Sequence, residues 1–177
     1  MNALRKLMSQ FIEEYMGPKI SIVALGCGVN LSQLLSIPGA SDVVHSIIFP
    51  YSTSSVDGLI ENYLLGSKIE KYFSELTSKV LTDLAIDLIP IAGGDVIGIG
   101  LSGALTTNRY RKGENGVYAG ISDGIETIDT QYLELPKLSE EEYKLKSPQE
   151  ISEIRLSEDL QITKWIIESL INLEIKQ

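Results

Sequence analysis

Apolar residues fall along the chain in two rhythms. Leu4, Leu7, Met8, Phe11, Ile12 and Tyr15 recur at helical spacing and predict an amphipathic helix ended by Gly17-Pro18. Ile20 to Leu25 is short, apolar and β-branched, and reads as a buried strand. After Gly26-Cys27-Gly28, the residues Leu31, Leu34 and Leu35 predict a short helix stopped at Pro38-Gly39. Val43 to Phe49 holds a helix end and a strand that periodicity alone does not divide. Ser52, Thr53, Ser54 and Ser55 are N-cap residue types for a helix running to Leu65-Gly66.

The second half continues the alternation. Ile69, Phe73, Leu76, Val80, Leu84 and Leu88 form a helical stripe over Ile69 to Ile89, followed by a strand from Ile97 to Leu101. Thr106 to Asn115 is polar and reads as a loop. Val117 to Ile121 and Ile125 to Leu135 read as strands joined at Asp123-Gly124, a hairpin signal. The charged stretch from Lys137 to Glu150 reads as a solvated connector, and Ser157 as the start of a last helix carrying Leu160, Ile162, Trp165, Ile166, Leu170 and Leu173. Strands alternating with helices predict an α/β layered fold, and the hairpin makes its sheet mixed. One domain over residues 1–177 is expected, with its core in about 18–136 and the last helix, about 157–174, packed on it.

Composition narrows the partners. A net charge of −9 and a pI near 4.6 repel nucleic acid and anionic membrane surfaces at long range, although a local set of backbone N–H groups can still hold a small anion. Cys27 is the single cysteine, so no intrachain disulfide forms, which suits a cytoplasmic location. No run of 18 apolar residues suggests a membrane span.

Candidate chemistry gathers in three places. Gly26, Cys27 and Gly28 lie between a predicted strand and a predicted helix, where a phosphate or carboxylate could rest on backbone N–H groups; the alternative is a plain tight connection. A Rossmann dinucleotide site is disfavoured, because Leu31 stands at the third glycine and Phe49-Pro50 end the next strand. Tyr51 and Ser52 follow a predicted strand and could contact a ring. Ser102, Gly103, Thr106, Thr107, Asn108 and Arg109 form a polar stretch suited to phosphate. As catalytic groups, Cys27 and Ser102 are weak candidates. The lone His45 lies on an apolar stretch and reads as structural or surface. Asp83, Asp87 and Asp95 lack the further ligands a metal site needs, so no metal or cofactor is expected.

Three of these segments together resemble the CinA C-terminal family, whose active members are nicotinamide mononucleotide amidases. Ile37-Pro38-Gly39-Ala40-Ser41 with Tyr51-Ser52 is similar to the family's Pro-Gly-Ser-Ser and Tyr-Ser-Asn elements. Ile97 to Ala104 is similar to its strand ending in Thr/Ser-Gly-Ile-Ala-Gly-Pro. Lys112 to Ala119 is similar to its Lys-Pro-Val-Gly-Thr-Val-Tyr strand. The resemblance covers about 20–135 and implies an α/β/α sandwich with a mixed sheet and a site where these loops converge. It also exposes departures. The family's nucleophilic serine falls at Ala24, or at Leu25 with a one-residue slip. Its basic lysine falls at Val56, and Thr106-Thr107 replace a Gly-Pro. A CinA-like branch with a glycine-rich turn and an Ala-Leu-Ala-Thr-Asp-Arg stretch looks closer still, matched here by Ala104 to Arg109.

Three functions remain open on these grounds. The first is a domain altered or inactive as an amidase that binds a small phosphorylated ligand, anionic or nucleotide-like, such as a pyridine nucleotide. The second is an amidohydrolase with relocated catalytic residues. The third is a structural or interaction protein with a filled cleft. The resemblance implies a homodimer or higher oligomer.

Overall fold

The computed structural model describes residues 3–63, 69–88, 96–125 and 127–172. Five strands form one sheet: β1 (Lys19–Leu25), β2 (Val44–Ile48), β3 (Val96–Ala104), β4 (Asn115–Ser122) and β5 (Thr127–Leu135). Their order is β2-β1-β3-β4-β5. The β2, β1 and β3 strands run parallel, and β4 and β5 complete an antiparallel meander with β3. The mixed sheet expected from the Asp123-Gly124 turn is therefore present.

One face of the sheet carries α1 (Ala3–Glu14), the 3₁₀ segment Val29–Ser36, α2 (Ala40–Val43) and α6 (Pro148–Ile171). Ile20, Ile22, Ile97, Ile99 and Leu101 point into this core, against Met8, Phe11, Leu31, Ile162 and Ile166. The other face carries α3 (Thr53–Tyr63) and α4 (Glu75–Asp87), with Val23, Leu25, Val56, Ile60 and Leu81 between the layers. α5 (Glu140–Lys144) leads into α6. The result is a three-layer α/β/α arrangement.

The α4 layer corrects the sequence reading in an informative way. The predicted stripe from Ile69 put Leu76 and Leu88 on the inner face, yet Leu76 is 72% exposed and α4 starts only at Glu75. Its buried face is Thr77, Ser78, Leu81, Thr82, Leu84 and Ala85. These small residues bring the helix backbone onto a glycine strip of the sheet. A methyl group at Gly98 would stand 2.6 Å from the Thr82 carbonyl oxygen, one at Gly100 would lie closer still to the Ser78 and Thr82 backbone, and one at Gly120 would meet the Thr82 hydroxyl. Gly98 and Gly100 thus serve close helix–sheet packing.

The C-terminal third also differs from expectation. Lys137 to Glu150 is not a connector, and Ser157 lies inside a helix rather than at its start. Ser139 and Ser147 cap α5 and α6, each in a reciprocal capping box with the glutamate three residues on, Glu142 and Glu150, and Pro148 stands in the first turn of α6. β3 extends to Ala104, past the predicted end at Leu101, and β4 already starts at Asn115, so the polar loop spans 105–114, one residue earlier than predicted.

Gly100→Val forces a branched side chain into the α4 backbone. It is expected to cost at least about 2 kcal/mol in urea denaturation, an overpacking penalty. A second prediction concerns pH. Hydrogen bonds from Ser147 and Lys146 hold the Glu150 carboxyl at about 2, well below its usual range. A lowered folded-state value stabilises above the ordinary carboxyl pKa, and that stabilisation is lost as pH falls toward 2. Wild type should therefore exceed Glu150→Gln in thermal midpoint at pH 7, with the gap closing steadily below about pH 4.

Candidate functional site

In a parallel sheet with order β2-β1-β3, ligand crevices form beyond the carboxyl ends of the strands where the winding reverses, here at the ends of β1 and β3. Gly26 and Gly28 follow β1 with φ of 76° and 75°, left-handed values that a glycine tolerates. Gly26 also allows β3 to come close: a methyl group on it would stand 2.6 Å from the Gly103 carbonyl oxygen. Gly103 packs in turn on the Cys27 side chain. The two strand ends are therefore in contact, and the chain beyond Gly28 opens the 3₁₀ segment with its N–H groups bare.

Those N–H groups already have an acceptor. The Asp159 carboxylate, on α6, receives the backbone N–H of Gly28 at 2.5 Å, of Val29 at 3.2 Å and of Asn30 at 3.0 Å. It also receives the Asn30 side-chain amide at 2.7 Å. One helical position earlier, the Glu158 carboxylate does the same for the loop after β3. It accepts the Thr106 N–H at 2.7 Å, the Thr106 hydroxyl at 2.7 Å and the Asn115 amide at 2.9 Å. Both carboxylates are buried. Between them Arg155 donates to the Thr106 carbonyl at 3.0 Å and to the Gly26 carbonyl at 3.4 Å. α6 thus places three charged groups on the two loops where a ligand anion was expected.

A crevice of about 320 Å³ remains beside this network. Its walls are mostly apolar: Ala24, Cys27, Phe49, Pro50, Leu105 and Leu156, with Tyr51, Arg155 and Asp159 at its polar side. Tyr51 is 80% exposed, so its ring is free to close over an occupant.

The predicted site residues divide accordingly. Gly26, Cys27 and Tyr51 line the crevice, and Gly28 donates to Asp159. Ser52 does not line it; its hydroxyl accepts the Ser55 N–H at the start of α3. Ser102 lies on the opposite face of the sheet, where its hydroxyl donates to the Tyr72 carbonyl at 2.5 Å and accepts the Ser74 N–H at 3.1 Å. It anchors the start of α4, and both of these partners are backbone groups. Thr106 is held by Glu158, whereas Thr107 and Arg109 line a different pocket beyond β3. Cys27 is fully buried. Burial and the nearby Asp159 raise its thiol pKa far above the usual range, a rise the Arg155 charge only partly offsets, so the thiol stays protonated. His45 is exposed on β2. Asp83 and Asp87 lie on α4, Asp95 lies outside the described residues, and no metal-binding cluster occurs among the described residues.

Comparison with solved structures identifies the architecture. The chain has the fold of CinA superfamily proteins. A CinA superfamily protein from Klebsiella pneumoniae superposes with a TM-score of 0.63 at 14% identity, over 97% of this chain and 100% of that one. The competence/damage inducible protein CihA from Agrobacterium tumefaciens gives 0.62 at 16% identity, over 97% and 96%. A CinA superfamily protein from Enterobacter cloacae gives 0.55 at 18% identity, over 94% and 89%. No sequence-family model and no curated protein matches the chain. On this CinA-like fold, Ala24 lines the crevice as an inert methyl group, while Leu25 and Val56 share the apolar cluster under α3 and α4.

The α6 residues of the site, Arg155, Glu158 and Asp159, were missed by the sequence reading. The signal was present: they fall on the same helical spacing as the buried Ile151, Ile162 and Ile166, so charge interrupts an apolar face.

Asp159→Ala removes the acceptor of three backbone N–H groups and one side-chain amide. Unsatisfied buried donors make this cost about 3 kcal/mol in denaturant unfolding, with faster hydrogen exchange at Gly28 and Asn30. An unchanged midpoint with unchanged protection would show that the contact carries no weight.

Proposed function

We propose that this chain is a CinA superfamily member that has lost amide-hydrolysing chemistry and binds a small ligand by a planar ring in the crevice between Cys27, Tyr51 and Leu156. The observation that carries the reading is the replacement of every reactive position by an inert one. Where the resemblance puts the nucleophile and the base stand Ala24 or Leu25 and Val56, and none of these side chains can attack a carbonyl or accept a proton. The two fallback nucleophiles are also quiet: Cys27 is a buried protonated thiol, and Ser102 is committed to the Tyr72 carbonyl and the Ser74 N–H on the far face.

The crevice lies at the lower end of the range for small-molecule sites, large enough for a single aromatic ring. Its apolar walls favour a ring, and Tyr51 can stack on it. A phosphate on the Gly26–Gly28 turn is disfavoured, because Asp159 takes those N–H groups and would repel it. A pyridine ring fits this description, with any phosphate of the same ligand lying outside the turn. No metal or cofactor is part of this reading, which also includes a cytoplasmic homodimer or higher oligomer.

A filled cleft with a purely structural role is the second reading, favoured by the insertion of Glu158 and Asp159. One plate separates the possibilities. Purified protein is mixed with nicotinamide or nicotinamide mononucleotide, and thermal shift and ammonia are read together. Stabilisation by both compounds without ammonia, lost in Leu156→Arg, is the expected result. Ammonia release would end the non-hydrolytic reading. No shift with either compound would leave the structural one.

A further inference from the structure

Beyond the crevice, the loop after β3 forms a second pocket of its own. Arg109 and Arg111 from this loop line it together with Lys137, which follows β5. Tyr110 and Tyr143 wall it, with ring centroids 5.9 Å apart. Thr106 and Asn115 also line it, and their side chains are buried.

Three properties distinguish this place from an ordinary polar loop. First, three cations converge on one pocket in a chain of net charge −9; no carboxylate lines it, the Glu158 carboxylate standing behind Thr106 and Asn115. Like charges held together cost free energy unless something of opposite sign offsets them. Second, two of the cations are positioned by backbone contacts and not neutralised. Arg111 donates to the Glu114 carbonyl at 2.8 Å, and Lys137 donates to the Lys112 carbonyl at 2.9 Å while standing 5.1 Å over the Tyr110 ring. No ion pair between any of the three and a carboxylate occurs among the described residues. Third, the loop is fixed from behind. The Thr107 hydroxyl donates to the Arg109 carbonyl at 2.8 Å, and the Tyr143 hydroxyl, from α5, donates to the Thr107 carbonyl at 2.8 Å. The loop backbone, Arg111 and Lys137 are therefore held in place before any ligand arrives, which limits the ordering cost of binding.

We infer that this pocket is an oxyanion site that takes a single phosphate group, as inorganic phosphate or as the phosphate of a small metabolite. The space inside is about 20 Å³, room for one oxygen-sized group with the remaining oxygens facing the guanidinium and ammonium donors at the mouth. A polyanion fits less well. The remaining surface is acidic and repels an extended phosphate chain, whereas one phosphate needs only the local field. The site is separate from the ring crevice and does not depend on it.

The test is a titration with inorganic phosphate at constant ionic strength, with chloride making up the balance, followed by calorimetry and phosphorus NMR linewidth. Saturable binding is expected in wild type. Arg109→Gln and Arg111→Gln should each weaken it at least tenfold with unchanged circular dichroism. Lys79→Gln, which removes a surface lysine paired with Glu75 on α4, should bind as wild type. Absence of saturable binding in wild type, equal weakening by Lys79→Gln, or full binding in the Arg109→Gln/Arg111→Gln double variant would each overturn the assignment. So would a single-stranded oligonucleotide that binds more tightly than phosphate and competes with it. Because the crevice is probed with uncharged nicotinamide, either site can fail its test while the other stands.

Discussion

The carboxylate of Asp159 is the contact on which the arrangement of this molecule turns. A strand-to-helix turn with two left-handed glycines leaves a row of backbone N–H groups facing the strand ends. Such a row must find an acceptor when it is buried. Many α/β proteins leave that task to a bound anion. Here α6 supplies the acceptor from within the chain, and Glu158 repeats the solution on the loop after β3. With Arg155 between them, the helix ties the ends of β1 and β3 to itself by polar contacts, while Ile162, Ile166 and Leu170 fix it by apolar ones. The crevice that survives is shaped by this choice: mainly apolar, without a free row of donors, beside a thiol whose ionisation burial opposes.

The opposite face obeys a different constraint. α4 approaches the sheet so closely that only glycines fit beneath Ser78 and Thr82. This close approach sets the start of α4 at the level of Ser102, whose hydroxyl is consumed in holding that start. A serine at the end of a central strand thus looks chemically available in the sequence and is structurally spent in the fold.

Much of the scaffold was legible in the residues. Ile20 to Leu25 and the Asp123-Gly124 turn named a buried strand and a hairpin, because alternation and turn chemistry are local properties. The capping boxes at Ser139 and Ser147 were equally local, yet Ser157 offered a competing start and the charged stretch around Glu140 concealed both. The site was less legible for a physical reason. A glycine that lets a helix approach and a glycine that receives a phosphate carry the same letter, and only the partner facing it decides. The partner of Gly28 is more than a hundred residues away, on a helix whose charged residues read as solvent-facing when its start is misplaced.

That separation has a consequence for how the molecule is made. Asp159 lies 131 residues after Gly28, so the turn leaves the ribosome long before its acceptor exists. At about 5–20 residues per second, roughly 7 to 26 seconds separate the synthesis of the two. A helix far along the chain closes a turn near its beginning. The buried N–H groups of that turn therefore reach their acceptor only when α6 docks.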